Sequence, residues 1–268
     1  MYRKGCNLKL SYSNIGFSKE NDSIIYDLLK NNNFTGLEIA PSRLFGDTPY
    51  NQNDFAEEHI QNIYNTYNLC IPSMQSIWFK RGENIFNGTS DYNALLRYSY
   101  QAIDFAKAIN CKNLVFGCPK NRNMPENANI ETFENFIKDI SNYAYDNNCI
   151  IGIEANPTIY NTNVINTTKQ AFDFVKKLNL KALKVNLDFG TIINNNENLH
   201  SIAENINYIS HVHISEPFLA KLEKRKEHIE LINILKENNY NNFISIETSC
   251  QELDIVKNQI EYLNEVCK

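Results

Sequence analysis

Eight short apolar runs, each followed by a stretch with helical spacing, constrain this chain more than any other feature. The runs are NLKLSY from Asn7, GLEIAP from Gly36, IPSMQSIW from Ile71, NLVFGCP from Asn113, CIIGIEAN from Cys149, ALKVNLDFG from Ala182, ISHVHIS from Ile209 and FISIETS from Phe243. Each has strand length and most are rich in β-branched residues. Between them apolar residues recur three and four apart. Ala171, Phe174, Val175 and Leu178 make one such stripe, and Leu253, Val256, Ile260 and Leu263 make another. Asn166 or Thr167 is the expected N-cap of the helix carrying the first stripe. Eight strand–helix units in 268 residues predict an α/β chain folded as a (β/α)8 (TIM) barrel, one domain over residues 1–268 with its site at the carboxyl ends of the strands. The competing doubly wound sheet usually shows a glycine-rich turn after its first strand. Here SYSNIGFSKEND follows, neither GxGxxG nor a P-loop occurs, and the chain has only nine glycines.

Charge and cysteine content narrow the function. The net charge is −5, and the densest charged stretch, KLEKRKEH (Lys221 to His228), mixes both signs and reads as a solvated loop or helix start. Nucleic-acid binding rests on clustered Lys and Arg, so no nucleic-acid partner is expected. No apolar run approaches bilayer-spanning length, and MYRKGCNLKL lacks the apolar stretch of a signal peptide. The seven scattered cysteines, without a CxxC, predict reduced thiols and a cytoplasmic chain; Cys118 and Cys250 each close an apolar run. The Asn-rich patches at Asn31 and Asn194 read as loops or helix ends.

Polar residues interrupt the strands near their carboxyl ends, where barrels of this kind gather their chemistry. In chain order these are Glu38, Gln75, Lys120 and Arg122, Glu154 and Asn156, Asp188, the group His211, His213 and Glu216, and Glu247. A single strand-end carboxylate is often just the partner of a lysine or a helix N-terminus. Acids or a histidine on four consecutive strands are different, because buried charge is costly unless paired or metal-bound. Glu154, Asp188, His213 and Glu247 would converge on one rim. Such an oxygen-rich set suits Mn²⁺, Mg²⁺ or Co²⁺ and tolerates Zn²⁺. His211 and His213 face the same way, and His213, nearer the strand's end, is the expected ligand, with His211 in support. Glu38, Gln75, Lys120, Arg122, Asn156, His211, Glu216 and His228 are candidates to bind substrate. Trp78 and Phe86 would either wall a sugar ring or pack in the core. His59 and His200 read as surface residues.

The stretches GLEIAP, SMQSIWF, NLVFGCPKNR, IGIEANP, VNLDFG, HVHISEP and NFISIET, in that order, resemble the sugar phosphate isomerase/epimerase family of the xylose isomerase-like TIM-barrel superfamily. That superfamily also holds ketose 3-epimerases, inosose dehydratases, hydroxypyruvate isomerases and endonuclease IV. The resemblance runs from about Asn7 to Glu247 and is most specific in FGCPKNR and HVHISEP. It implies metal ligation by Glu154, Asp188, His213 and Glu247, and Glu216 completes an H-x-x-E pattern. It also implies a divalent-metal-dependent isomerase or epimerase acting on a small sugar, sugar phosphate or sugar derivative. A proton next to a carbonyl would leave through a metal-stabilised enediolate, with Glu154 and Glu247 as the catalytic carboxylates. Two positions set this chain apart from the ketose 3-epimerase pattern: Leu219 stands where an arginine is usual, and Thr191 where many carry a histidine. Other readings on the same barrel are an inosose dehydratase-like lyase and a non-catalytic sugar-binding protein. A phosphodiester hydrolase like endonuclease IV needs more histidines than the five present. Barrels of this type often pair, so a homo-oligomer is possible.

Overall fold

All eight expected strands form in the computed structural model, which describes residues 8–268, and all run parallel. They are β1 (Lys9–Ser13), β2 (Phe34–Glu38), β3 (Ser73–Met74), β4 (Asn113–Phe116), β5 (Ile150–Glu154), β6 (Leu183–Asp188), β7 (Ile209–Ile214) and β8 (Phe243–Ile246). Asn7, the expected start of the first run, and Cys6 lie outside the described residues. Neighbours follow the order β2-β1-β8-β7-β6-β5-β4-β3. Bridges from Gly36 to Cys70 and from Ile39 to Met74 close the ring between β2 and β3. Each strand leads into helix, from Asp22–Asn31 after β1 to Leu253–Val266 after β8. The expected (β/α)8 barrel is therefore the observed one. β3 is shorter than its apolar run suggests, because Ser76 adopts a left-handed conformation (φ 53°) and turns the chain out of the sheet.

The apolar core lies outside the barrel, not within it. Leu37, Ile39, Leu114, Phe116, Ile151, Ile153, Val185, Leu187, Val212, Ile214, Ile244 and Ile246 are buried beneath the helices. The alternate residues turn inward and are largely polar. Gln75 on the β3 side donates to Ser13 of β1 at 2.9 Å, Asn113 of β4 donates to Ser73 of β3 at 2.9 Å, and His213 of β7 meets Glu38 of β2 at 3.0 Å. Strands covered on both faces by apolar side chains read as continuous hydrophobic runs. These strands alternate because their inner face is reserved for polar groups. Trp78 belongs to the apolar shell: it packs edge-on against Phe116 and Phe136 and donates from Nε1 to Ser99 Oγ at 3.0 Å.

Asparagine does much of the work that glycine does in other chains. Among the described residues, eight of the fourteen non-glycine residues with positive φ are asparagines. Asn33 and Asn196, the last residues of the two Asn-rich patches, are among them, as is Asn179 at the end of helix Thr168–Leu178. Asn tolerates the left-handed region because its short amide bonds locally. The start of helix Thr168–Leu178 is a capping box on Thr167, whose side chain accepts from Gln170 N–H at 3.2 Å while the Gln170 side chain accepts from Thr167 N–H at 3.1 Å. Asn179→Val should therefore lower the unfolding free energy by about 1–2 kcal/mol, whereas Asn179→Gly should leave it nearly unchanged. Urea midpoints of the two variants against the parent check this.

Candidate metal centre

Four side chains from four consecutive strands meet at the carboxyl end of the lumen. Glu154 ends β5, Asp188 ends β6, His213 is the penultimate residue of β7, and Glu247 directly follows β8. Pairing sets Asp188 beside His213, and His213 beside Ser245, two residues before Glu247. The two-residue period of a strand then turns all four inward. Their ligand atoms all lie within 4.8 Å of one another. His213 Nδ1 is 3.1 Å from Glu154 Oε1 and 2.9 Å from Glu247 Oε2. Its Nε2 is 3.0 Å from Glu38 Oε1. With Glu38 accepting the Nε2 proton, Nδ1 is the nitrogen that would turn a lone pair to a cation once its own proton, shared here with Glu154 and Glu247, has left. His211 stands edge-on beneath His213, with its Nε2 3.3 Å from the same Glu38 oxygen.

Each carboxylate is held by neutral donors. Asn186 Nδ2 donates to Glu154 Oε1 at 2.7 Å, and Asn156 Nδ2 donates to Glu154 Oε2 at 3.0 Å. Gln75 Nε2 donates to Glu247 Oε1 at 2.8 Å. Thr191 N–H donates to Asp188 Oδ2 at 2.7 Å, and the Ser215 hydroxyl donates to Oδ1. Arg122 is sealed behind this layer and donates to Asn156 Oδ1 at 2.7 Å and to the Glu154 carbonyl at 2.8 Å. Gly117 leaves the space for Glu154: a Cβ there would lie 2.7 Å from Oε2.

The electrostatics suit a divalent cation. Four carboxylates, Glu38, Glu154, Asp188 and Glu247, crowd around one imidazole at sites largely cut off from water. Burial pushes Glu247 up to about 7 against the opposing pull of His213. Burial and the Glu154 charge also raise Asp188. Burial disfavours the charged form of His213, but Glu247 and Glu38 outweigh it and hold the imidazole well above its usual range. Burial likewise opposes the Glu38 charge, and His213 and His211 outweigh it and hold this carboxyl well below the usual carboxylate range. Hard oxygen donors with one imidazole nitrogen are the ligand chemistry that Mn²⁺, Mg²⁺, Co²⁺ and Zn²⁺ accept. The residues therefore fit a divalent ion.

A cavity of about 230 Å³ opens above the cluster, with Glu154, Asp188 and Glu247 among its lining. Of the residues expected to bind substrate, Gln75, Asn156 and Glu216 line it. The others do not. Glu38 and His211 lie buried beneath His213, and Arg122 lies behind Asn156. Lys120 is exposed on a 3-10 turn. His228 is buried in helix Lys226–Glu237 against Phe189, its Nδ1 2.9 Å from the Tyr262 hydroxyl, and burial brings its pKa down to about 4. Glu216 is gripped by Arg225, from Nε at 2.8 Å and from a terminal nitrogen at 2.7 Å. Asn186, Ser215, Tyr160 and Arg225 escaped the sequence reading. The two-residue spacing of Asn186 from Asp188 was a usable signal, but nothing local marks the others.

A family model described as the xylose isomerase-like TIM barrel matches residues 26–266. The chain belongs to this family. Membership, with the cluster of possible metal ligands, supports enzymatic activity. Comparison with curated proteins finds no significant match. Among solved structures, 3-keto-D-glucoside 4-epimerase (YcjR) from E. coli has a TM-score of 0.77 at 16% identity, over 97% of this chain and 98% of that one. D-psicose 3-epimerase from Clostridium cellulolyticum H10 gives 0.71 at 14% identity, over 97% and 96%. The probable 3-DHS dehydratase AsbF from Bacillus anthracis gives 0.67 at 15% identity, over 96% and 98%. At these identities the three likenesses establish the xylose isomerase-like fold alone.

Two outcomes follow for cation binding. Glu38→Gln should weaken Mn²⁺ affinity about 10–100-fold without touching a ligand, as read by calorimetry, because it alters the bond that orients His213. The second concerns pH. Ligands bind the ion deprotonated, and Glu247 holds its proton below about pH 7, so affinity should fall by at least about tenfold per unit below that point. Titrations at pH 5.5, 6.5 and 7.5 measure the slope.

Proposed function

We propose that this chain is a divalent-metal-dependent isomerase or epimerase of a small sugar or sugar derivative, moving a proton on the carbon next to a carbonyl. The observation that carries the reading is a matched pair of glutamates. Glu154 and Glu247, from β5 and from the end of β8, both reach the Nδ1 edge of His213, each with one oxygen toward that nitrogen and the other held by a side-chain amide, from Asn156 and Gln75 respectively. The amides fix the orientation of both carboxylates before substrate arrives, which lowers the entropic part of the barrier.

Glu154, Asp188, His213 and Glu247 would hold the ion, with Mn²⁺, Mg²⁺ or Co²⁺ preferred by the donor set and Zn²⁺ acceptable. Bound there, the ion supplies positive charge to offset the negative charge that develops on the carbonyl oxygen. Glu247, with a pKa near 7, is suited to take and return a proton near neutral pH. Glu154 reaches the same cavity from β5. Removal by one carboxylate and return to the same carbon by the other inverts that centre, whereas return by the same group to the neighbouring carbon, with the hydroxyl proton passing to the former carbonyl oxygen, shifts the carbonyl. Glu38, with His211, acts from below by positioning His213.

Protein purified without chelator should carry about one divalent ion per chain, and Asp188→Asn should reduce that content. Glu247→Gln should slow exchange of carbon-bound protons for deuterium by about 10²–10⁴-fold in an NMR assay over ketoses and aldoses. Absence of metal uptake by the parent, even with Mn²⁺, Co²⁺ or Mg²⁺ added, would overturn the reading.

A further inference from the structure

We propose that the Tyr160 hydroxyl is a substrate contact, donating its proton in a hydrogen bond to an oxygen of the bound sugar. The inference rests on the isomerase/epimerase reading and adds a residue to its site.

Most donors around the cavity are already committed to the protein. Of the hydroxyls lining it, Ser76 donates to Gln75 Oε1 at 2.8 Å and Ser215 donates to Asp188 Oδ1. Gln75 Nε2 donates to Ser13 Oγ at 2.9 Å and to Glu247 Oε1 at 2.8 Å. The guanidinium of Arg225 is taken by Glu216. Tyr160 differs. Its oxygen accepts from the Phe218 N–H at 2.7 Å, and among the described residues its own proton goes to no protein group.

That hydroxyl is held in place from two loops. Tyr160 ends the 3-10 turn Thr158–Tyr160 after β5, and its N–H donates to the Pro157 carbonyl at 3.0 Å. The Phe218 amide that grips the oxygen comes from the loop after β7, where Phe218 and Leu219 are both left-handed, with φ of 60° and 53°. Such a conformation persists only where surrounding contacts hold it. Leu219 N–H donates to the Glu216 carbonyl at 2.9 Å, and Ser249 N–H donates to the Leu219 carbonyl at 2.7 Å. The Phe218 ring meets the Tyr160 ring edge-on at 5.8 Å. A phenol oxygen that accepts from a fixed amide must turn its own O–H away from that amide. The proton is therefore oriented before a ligand arrives, which reduces the entropy lost on binding.

The surroundings keep the donor neutral. Tyr160 shares the cavity with Glu154, Asp188 and Glu247. Burial pushes its phenol up to about 12, and the charges of Asp188, Glu154 and Glu247 act with burial against the Phe218 bond. A lysine here would pair with these acids. A phenol leaves them to a cation and offers its proton to a substrate oxygen, which on leaving water needs a donor in exchange.

The test uses Mn²⁺-loaded full-length protein and a panel of ketoses and aldoses, with proton–deuterium exchange read by NMR. Tyr160→Phe keeps the ring and removes the hydroxyl. It should lower kcat/KM by about 5–100-fold and leave Mn²⁺ affinity unchanged. A polyfluorinated tyrosine placed at the same position keeps the oxygen that Phe218 needs and makes the phenol more acidic. Its kcat/KM should match the parent at neutral pH and fall at an alkaline pH where the parent still works, because the donor proton has gone. A purely structural hydroxyl would not move that limb. Parent-level kcat/KM in Tyr160→Phe, or a fluorinated protein whose pH profile overlays the parent's, would overturn this proposal and leave the isomerase reading intact. Metal-loaded parent that exchanges no member of the panel would overturn both.

Discussion

Four carboxylates, two buried and two half-buried, around one imidazole form the constraint on which the rest of this structure depends. Like charges this close cannot all remain ionised without an answering positive charge. The chain answers in layers. His213 bridges Glu154 and Glu247 on one edge of its ring and Glu38 on the other. Amides and hydroxyls hold the outer oxygens, and Arg122 stands behind Asn156 although burial opposes its charge. A divalent ion among Glu154, Asp188, His213 and Glu247 would complete the balance. Breaking any inner layer leaves buried charge uncompensated, so these residues act as a set.

That constraint explains the inverted barrel. A lumen filled with branched apolar side chains is the ordinary way to stabilise eight parallel strands. Here the lumen holds serines, amides, histidines and acids, so stability shifts outward to the apolar layer between sheet and helices. Phe116 and Trp78 show the division: adjacent to the site in sequence, they pack outward with Phe136 while Gly117 and Gln75 turn to the cluster. The outer shell keeps the frame rigid, and the inner face is free to carry charge.

The loops decide what the frame admits. Held left-handed residues at Phe218 and Leu219 bring a hydrocarbon lip over a polar floor, and Tyr160 closes it from the loop after β5. Arg225 folds back nine residues to neutralise Glu216, so a carboxylate that reads in sequence as a free substrate contact is a paired one in the fold. The scaffold and the cluster thus belong to the strands, whereas the mouth of the cavity belongs to segments without regular period.

The sequence by itself determined the eight strands, their order of appearance and the inward-facing acids and histidine that the fold brings together. Those signals are local: a strand repeats every two residues, so an acid or histidine at the right parity near a carboxyl end must face the lumen. Asn186 obeyed the same rule and was equally legible. Only the tertiary structure decided which neighbours serve the ligands. Gln75 reaches Glu247 across 172 residues and His213 reaches Glu38 across 175, separations at which no periodicity survives. Arg122 and His228 look open to ligand in the sequence and are sealed in the fold, because burial is set by what other elements place over a side chain. Strand phase is a property of adjacent residues; a hydrogen bond across a closed barrel is a property of the ring.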